Sequence, residues 1–331
     1  MKSKIVVLLM IGFTVAAGVS SYYGRGQLAV ALENGPVTTV INAKRVALNT
    51  DDPNQIQVGE LTYVGGWSMT SPNDDFGGWS GLLVDALAPN TLLAISDKGY
   101  WLEANIDLNA KVPLLDAKIR PFEDGARGKG KADYDAESLA RHSAGFYVGL
   151  EQNHRILDVG FPGAPSAMAA INNHLDLSGL SSNGGLEALT RLDGGKFLMF
   201  AERGLDTQGT LPVWIASADK AETLRFAPPK NFAPTDAATL PNGDVLLLMR
   251  YYSAIDGSAA KILRIAAADI KAGVVLKGTE IAHFSPPLIV DNMEALDVKV
   301  LADGTLRLFM MSDDNFSPFQ RNLFLVFDWK P

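Results

Sequence analysis

Short apolar runs with polar residues interleaved recur along the chain, separated by clusters of glycine, proline, asparagine and aspartate. This two-residue period predicts strands, starting with residues 61–64, 82–87, 91–95 and 101–108. Turns are marked by Ala88-Pro89-Asn90, Asp193-Gly194-Gly195, Pro241-Asn242-Gly243-Asp244 and Ala302-Asp303-Gly304, each set between two apolar segments as a hairpin requires. Helical patterning is confined to 164–172 and 266–272, about two turns each. The stretch 120–133, charged and rich in glycine, predicts a long solvated loop between units, with a substrate lid as the lesser alternative.

The strands fall into a repeat. An acidic or polar residue, a small residue and an apolar residue precede an apolar strand that ends in a charge. The copies begin at Ser80, Glu137, Glu187, Asp236 and Glu294. Their spacing of roughly 50 residues is that of propeller blades. The expected fold is all-β, a single β-propeller of six blades, with five as the alternative count. It would cover residues 58–331 and close by pairing the C-terminal strand Asn322–Trp329 with N-terminal strands, leaving no free edge. Residues 22–57 read as an extended lead-in with one strand near 37–41. A β-sandwich is the runner-up, and the period fits it poorly.

Composition narrows the function. The chain has 331 residues, a formal charge of −8 and no cysteine. An acidic chain without a basic stripe is not built for nucleic acid or anionic lipid, and is compatible with cations or neutral ligands. The absence of cysteine excludes disulfides and thiol catalysis. Residues 1–21 combine Lys2 and Lys4, an apolar run from Ile5 to Ala17, and the small residues Gly18, Ser20 and Ser21. They read as a signal peptide, with an uncleaved signal anchor as the alternative and the only expected membrane contact. The expected location is therefore periplasmic or secreted, and the expected state a monomer.

Rotational repetition turns one position per blade into a ring. Glu137, Glu187, Asp236 and Glu294 share a place in the repeat and form the expected metal set, with Asn183, Asp291 and Asn292 beside them as further oxygen donors. Carboxylates gathered in a channel mouth repel one another unless a cation or proton compensates. Ca²⁺, which accepts six to eight oxygens in irregular geometry, suits them. Zinc does not, because His142, His154, His174 and His283 are scattered without ligand spacing. The competing reading makes these acids clasps that accept backbone N–H groups from the next blade.

Strand ends supply a second constellation: Asp97-Lys98, Glu151 to Arg155, Glu202-Arg203, Arg250-Tyr251 and Asp313-Asp314-Asn315. On one face of the disc, Arg203 and Arg250 would hold an anion, and His154 is the candidate general acid or base. A lone histidine at a strand end is more often structural. Gly78-Trp79-Ser80-Gly81 is not a nucleophile elbow, and neither a phosphate-binding loop nor a dinucleotide fingerprint occurs.

Several of these motifs, in order, carry a resemblance. Phe76-Gly77-Gly78-Trp79-Ser80-Gly81-Leu82, Ile95-Ser96-Asp97-Lys98-Gly99, Asp135-Ala136-Glu137-Ser138-Leu139, Asn183-Gly184-Gly185-Leu186-Glu187-Ala188-Leu189, Asp291-Asn292-Met293-Glu294-Ala295-Leu296 and Ser312-Asp313-Asp314-Asn315-Phe316 resemble the bacterial phytase-like family, whose members are labelled as having esterase-like activity. The resemblance spans about residues 58–329 and implies a secreted or periplasmic β-propeller. In the first unit Ser80 stands where the others carry an acid, so the ring is expected to be incomplete there. Two functions follow: a metal-dependent esterase or phosphoesterase, preferred on the resemblance, and a non-catalytic binding or scaffold propeller.

Overall fold

The computed structural model describes residues 36–122, 135–152, 154–160, 166–177, 180 and 184–331. Their strands, numbered along the chain, form five sheets. The first blade is β5 (Trp79–Val84), β6 (Thr91–Ser96), β7 (Tyr100–Ile106) and β8 (Leu114–Pro121), with β1 (Val37–Thr38) on its outer edge. The second is β9 (Ala136–His142), β10 (Gly145–Leu150), β11 (Arg155–Gly160) and β12 (Ser166–Met168). The third is β13 (Leu186–Arg191), β14 (Phe197–Ala201), β15 (Leu211–Ala216) and β16 (Ala221–Phe226), to which β20 (Val275–Leu276) adds in parallel. The fourth is β17 (Ala233–Thr239), β18 (Val245–Ser253), β19 (Gly257–Ile265) and β21 (Thr279–Phe284).

The fifth blade closes the ring. β22 (Asn292–Val300), β23 (Leu306–Asp313) and β24 (Asn322–Trp329) come from the C-terminal end of the chain. β4 (Leu61–Thr70) and β2 (Asn42–Arg45) come from the N-terminal part, and β3 (Gln57–Val58) also pairs with β4. Leu325 faces Gly66 across the junction of β24 and β4, and the Trp329 indole donates to the Glu60 carboxylate at 3.0 Å. The expected closure is therefore present, but the blade count is five and not six. The segment around 55–75 builds no sixth blade, because β4 serves as the fourth strand of the fifth.

Five apolar layers fill the five spaces between blades. Successive residues of one strand feed opposite layers: Leu198 and Phe200 of β14 join the layer toward the fourth blade, and Phe197, Met199 and Ala201 the layer toward the second. This is the two-residue strand period with both faces covered, which explains why the middle strands read as nearly unbroken apolar runs. Trp67, Trp79, Trp101 and Trp329 are all fully buried.

The inner strands β5, β9, β13, β17 and β22 pack side by side around the axis, each against the next and β22 against β5. The weak helical patterns give less than a helix: β12 and a 3-10 turn at Ala170–His174 in one case, a 3-10 turn at Ala267–Asp269 in the other. The glycine-rich loop expected at 120–133 begins with Arg120 still in β8 and paired to Glu103 at 2.6 Å; beyond Phe122 it lies outside the described residues.

Candidate functional site

Every inner strand carries one β-bulge near its start. The ladder shift between each inner strand and its neighbour leaves out Ser80 in β5, Glu137 in β9, Glu187 in β13, Thr235 in β17 and Glu294 in β22. A bulge bends the strand and re-aims one side chain. Here it sets the same residue of each blade at the channel mouth: glutamate in the second, third and fifth blades, a hydroxyl in the first and fourth.

Asp236 does not hold this position. It pairs with Leu248 as Ala188 pairs with Phe200 and Ala295 with Met311, one residue past the bulge. Its carboxylate accepts the Ala237 N–H at 2.8 Å and the Leu296 N–H of the fifth blade at 2.7 Å. Asp236 is thus a blade clasp, and the expected four-acid ring loses it for a physical reason: the bulge shifts the register by one. Asp297 does the same toward the first blade, accepting the Val84 N–H at 2.7 Å. Burial raises the pKa of both, Asp297 to about 6, and these N–H donors oppose the rise.

The strand-end residues complete the mouth. An antiparallel hairpin returns the end of the second strand beside the start of the first, so Asp97, Glu151, Glu202, Arg250 and Asp313 line up next to the bulges. Carboxylate oxygens of Asp135, Glu137 and Glu151 lie within 4.8 Å of one another, as do those of Glu151, Glu187 and Glu202. Glu151 belongs to both groups. The sequence places Glu151 and Glu202 among the strand-end charges but not in the metal set; the missed signal is that hairpin pairing joins the two constellations. Asp135 has no repeat partner to reveal it.

Arg250 is the cation of this mouth. Its guanidinium meets Glu202 Oε1 at 2.9 Å, Glu294 Oε1 at 3.1 Å and Asn292 Oδ1 at 2.9 Å. The neighbouring Glu294 carboxylate, first among several, raises its pKa further. Arg203, largely exposed, takes the other oxygen of Glu202 at 2.8 Å. Asn292 also donates to Asp313 at 3.3 Å, whereas Asp291 is turned to Arg321 at 3.0 Å. Asn183 lies outside the described residues.

Crowded, buried acids resist ionisation. Burial, then mutual repulsion, pushes Glu137 and Glu187 well above the usual carboxylate range. Burial raises Glu294 to about 8 even with Arg250 beside it, and Asp313 to about 7. These are the properties of a set that gains by taking a hard cation with oxygen ligands. Among the described residues the candidate ligand groups contain no histidine: His142 faces Asp158 at 3.0 Å and His174 faces the Ala218 carbonyl at 2.9 Å. His154 turns just after Glu151 with φ of 40°, and its buried Nδ1 packs near Gly185 without a hydrogen-bond partner among the described residues.

Beside Arg250 and Asn292 opens a cleft of about 810 Å³, walled by Tyr252, Pro286, Pro287, Leu288, Phe319 and Arg321. The mouth therefore offers a cation-competent acidic floor, one fixed guanidinium and room for a small molecule.

A family model described as phytase-like, esterase-like activity of phytase, matches residues 74–316. No curated protein matches the sequence. Similar solved structures include a thermostable family-43 glycoside hydrolase at 10% identity and TM-score 0.46, covering 76% of this chain and 90% of that one. The Cps50 (Swd1) β-propeller domain of Myceliophteria thermophila shows 9% identity and TM-score 0.38, covering 86% of this chain and 99% of that one. A nidogen/laminin complex chain shows 10% identity and TM-score 0.37, covering 80% and 90%.

Proposed function

The chain belongs to the phytase-like family, and from that premise we propose that it is a metal-dependent esterase or phosphoesterase acting on a small ester at the acidic mouth. The observation that carries this reading is the convergence of Asp135, Glu137, Glu151, Glu187 and Glu202 into two groups within 4.8 Å that share Glu151. Their donor chemistry fits Ca²⁺: all are carboxylates, and burial, with repulsion from neighbouring carboxylates, pushes the pKa of Glu137 and Glu187 upward in a way that a cation would offset. When bound, such an ion supplies Lewis-acid polarisation of the ester oxygen and a more acidic water.

The protein's own groups do the remainder. Arg250, oriented by Glu202 and Glu294, presents a fixed guanidinium at the edge of the cleft for a phosphate or carboxylate oxygen. Arg203 is the exposed second cation at the rim. Glu294, with a pKa of about 8, retains its proton near neutral pH and can deliver it to a leaving alkoxide. His154, next to Glu151, is the alternative proton carrier. The basic and apolar pattern of residues 1–21 supports an exported enzyme.

The test is hydrolysis of p-nitrophenyl phosphate and p-nitrophenyl acetate with Ca²⁺ and with chelator, alongside calorimetric titration of Ca²⁺. Chelator-sensitive turnover supports the proposal. Calcium binding without turnover of either ester favours a binding propeller, and no calcium heat at all favours a scaffold. The scaffold reading draws on Asp236 and Asp297, which do act as clasps.

A further inference from the structure

The opposite end of the central channel has the reverse charge. About 13 Å beyond the bulges, four residues along at the usual strand rise, a cavity of about 380 Å³ is lined by all five inner strands. Glu137 and Arg141 lie on the same strand β9, and Glu187 and Arg191 on β13. Both arginines stand four residues after the bulge, so adjacent blades present them at equivalent places on the rim. Lys299 of β22 is the third cation.

Two carboxylates share the lining, and both are engaged. Asp85 pairs with Lys299 at 2.9 Å and accepts the Asn90 N–H at 2.6 Å. Asp297 is the clasp that accepts the Val84 N–H at 2.7 Å. Arg141 spends one nitrogen on the Val84 carbonyl at 2.7 Å. Arg191 is exposed and has no side-chain hydrogen bond or ion pair among the described residues. The Thr190 and Thr239 hydroxyls also line the cavity and hydrogen-bond one another at 2.9 Å, which leaves one O–H to donate.

We propose that this mouth binds a small oxyanion, a phosphate or a carboxylate compound, between Arg141 and Arg191. In a chain of net charge −8, a cavity where cations outnumber carboxylates, with an unengaged planar guanidinium, selects anions able to accept paired N–H donors. The volume admits one small molecule and no macromolecule. The site is separate from the acidic mouth and stands or falls without any catalytic activity there.

Isothermal titration of the full chain with inorganic phosphate and with succinate, at constant ionic strength, tests it. Saturable binding of either probe is expected, weakened at least tenfold by Arg191→Gln and unchanged by Lys118→Gln, an exposed cation on the outer strand β8. Which probe binds identifies the oxyanion. Because Arg191 is exposed and unengaged, Arg191→Gln should keep the wild-type melting temperature. No saturable heat from either probe overturns the proposal. So does binding that survives Arg191→Gln, or binding weakened equally by Lys118→Gln.

Discussion

Arg250 of the fourth blade holds Glu202 of the third, Nη2 to Oε1 at 2.9 Å, and the two residues occupy the same strand-end position in their blades. The one blade that replaces its strand-end acid by a cation also replaces its bulge acid by Thr235. The mouth is thereby divided. On one side Arg250 pairs with Glu202 and Glu294; on the other, Asp135, Glu137, Glu151 and Glu187 crowd together, with Glu202 joining the last two.

Removing that cation should unbalance the mouth. Arg250→Ala is expected to destabilise the fold by about 3 kcal/mol, the order found when one partner of a buried pair is deleted. Glu202 and Glu294 are both buried, so neither is readily rescued by water. Urea unfolding measures the loss, and added Ca²⁺ should recover part of it. A neutral substitution would mean that the ion pairs contribute nothing net.

Clasp and site acids should separate cleanly. Asp236→Ala leaves the buried Leu296 N–H without its acceptor. It should cost about 1–3 kcal/mol while calcium affinity stays within twofold. Glu187→Gln should do the opposite, weakening Ca²⁺ at least tenfold with no loss of melting temperature, since it relieves repulsion. Calorimetry and thermal melts on both variants check the pair.

Glu151 is common to both carboxylate groups. Glu151→Gln should therefore weaken Ca²⁺ more than Glu137→Gln or Glu187→Gln, each of which touches one group only. Equal effects from all three would argue that the two groups do not share an ion.

The pH dependence has a definite sign. Glu294 at about 8, Asp313 at about 7 and Asp297 at about 6 all lie above ordinary carboxylate values, so the folded state holds protons that the unfolded chain has released. Stability should fall as pH rises from about 4, the usual carboxylate value, toward 8. In chelator the melting temperature should decline across this window. With Ca²⁺ the part of the decline due to Glu137 and Glu187, which burial also raises, should flatten, because the cation replaces their protons, and the part due to the Asp297 clasp should remain. A melting temperature that climbs with pH in chelator would contradict the assigned burial.

Local patterning made much of this molecule readable. The alternation around Asn242-Gly243 and the run Asn322–Trp329 each became the hairpin and strand expected, and the five repeat starts all fell on inner strands. Glu137, Glu187 and Glu294 took the equivalent positions that their shared motif implied. Asp236 was misaligned because a bulge is invisible in a string of residues: Thr235 and Asp236 are both plausible first members of the unit. Blade count was equally hidden, since β4 and β24 meet across about 250 residues of chain, far beyond any local signal.

The sequence by itself determined the strands, the repeat, the apolar layers between blades and the stock of acids, because these follow from side-chain period and composition. Only the tertiary structure decided that the ring has five blades, that Glu151 and Glu202 join Glu187, that Asp236 clasps the next blade, and that Arg141 and Arg191 ring the far mouth. Those outcomes depend on register, where a slip of one residue turns a side chain to the other face, and on closure, which brings together residues that no local pattern connects.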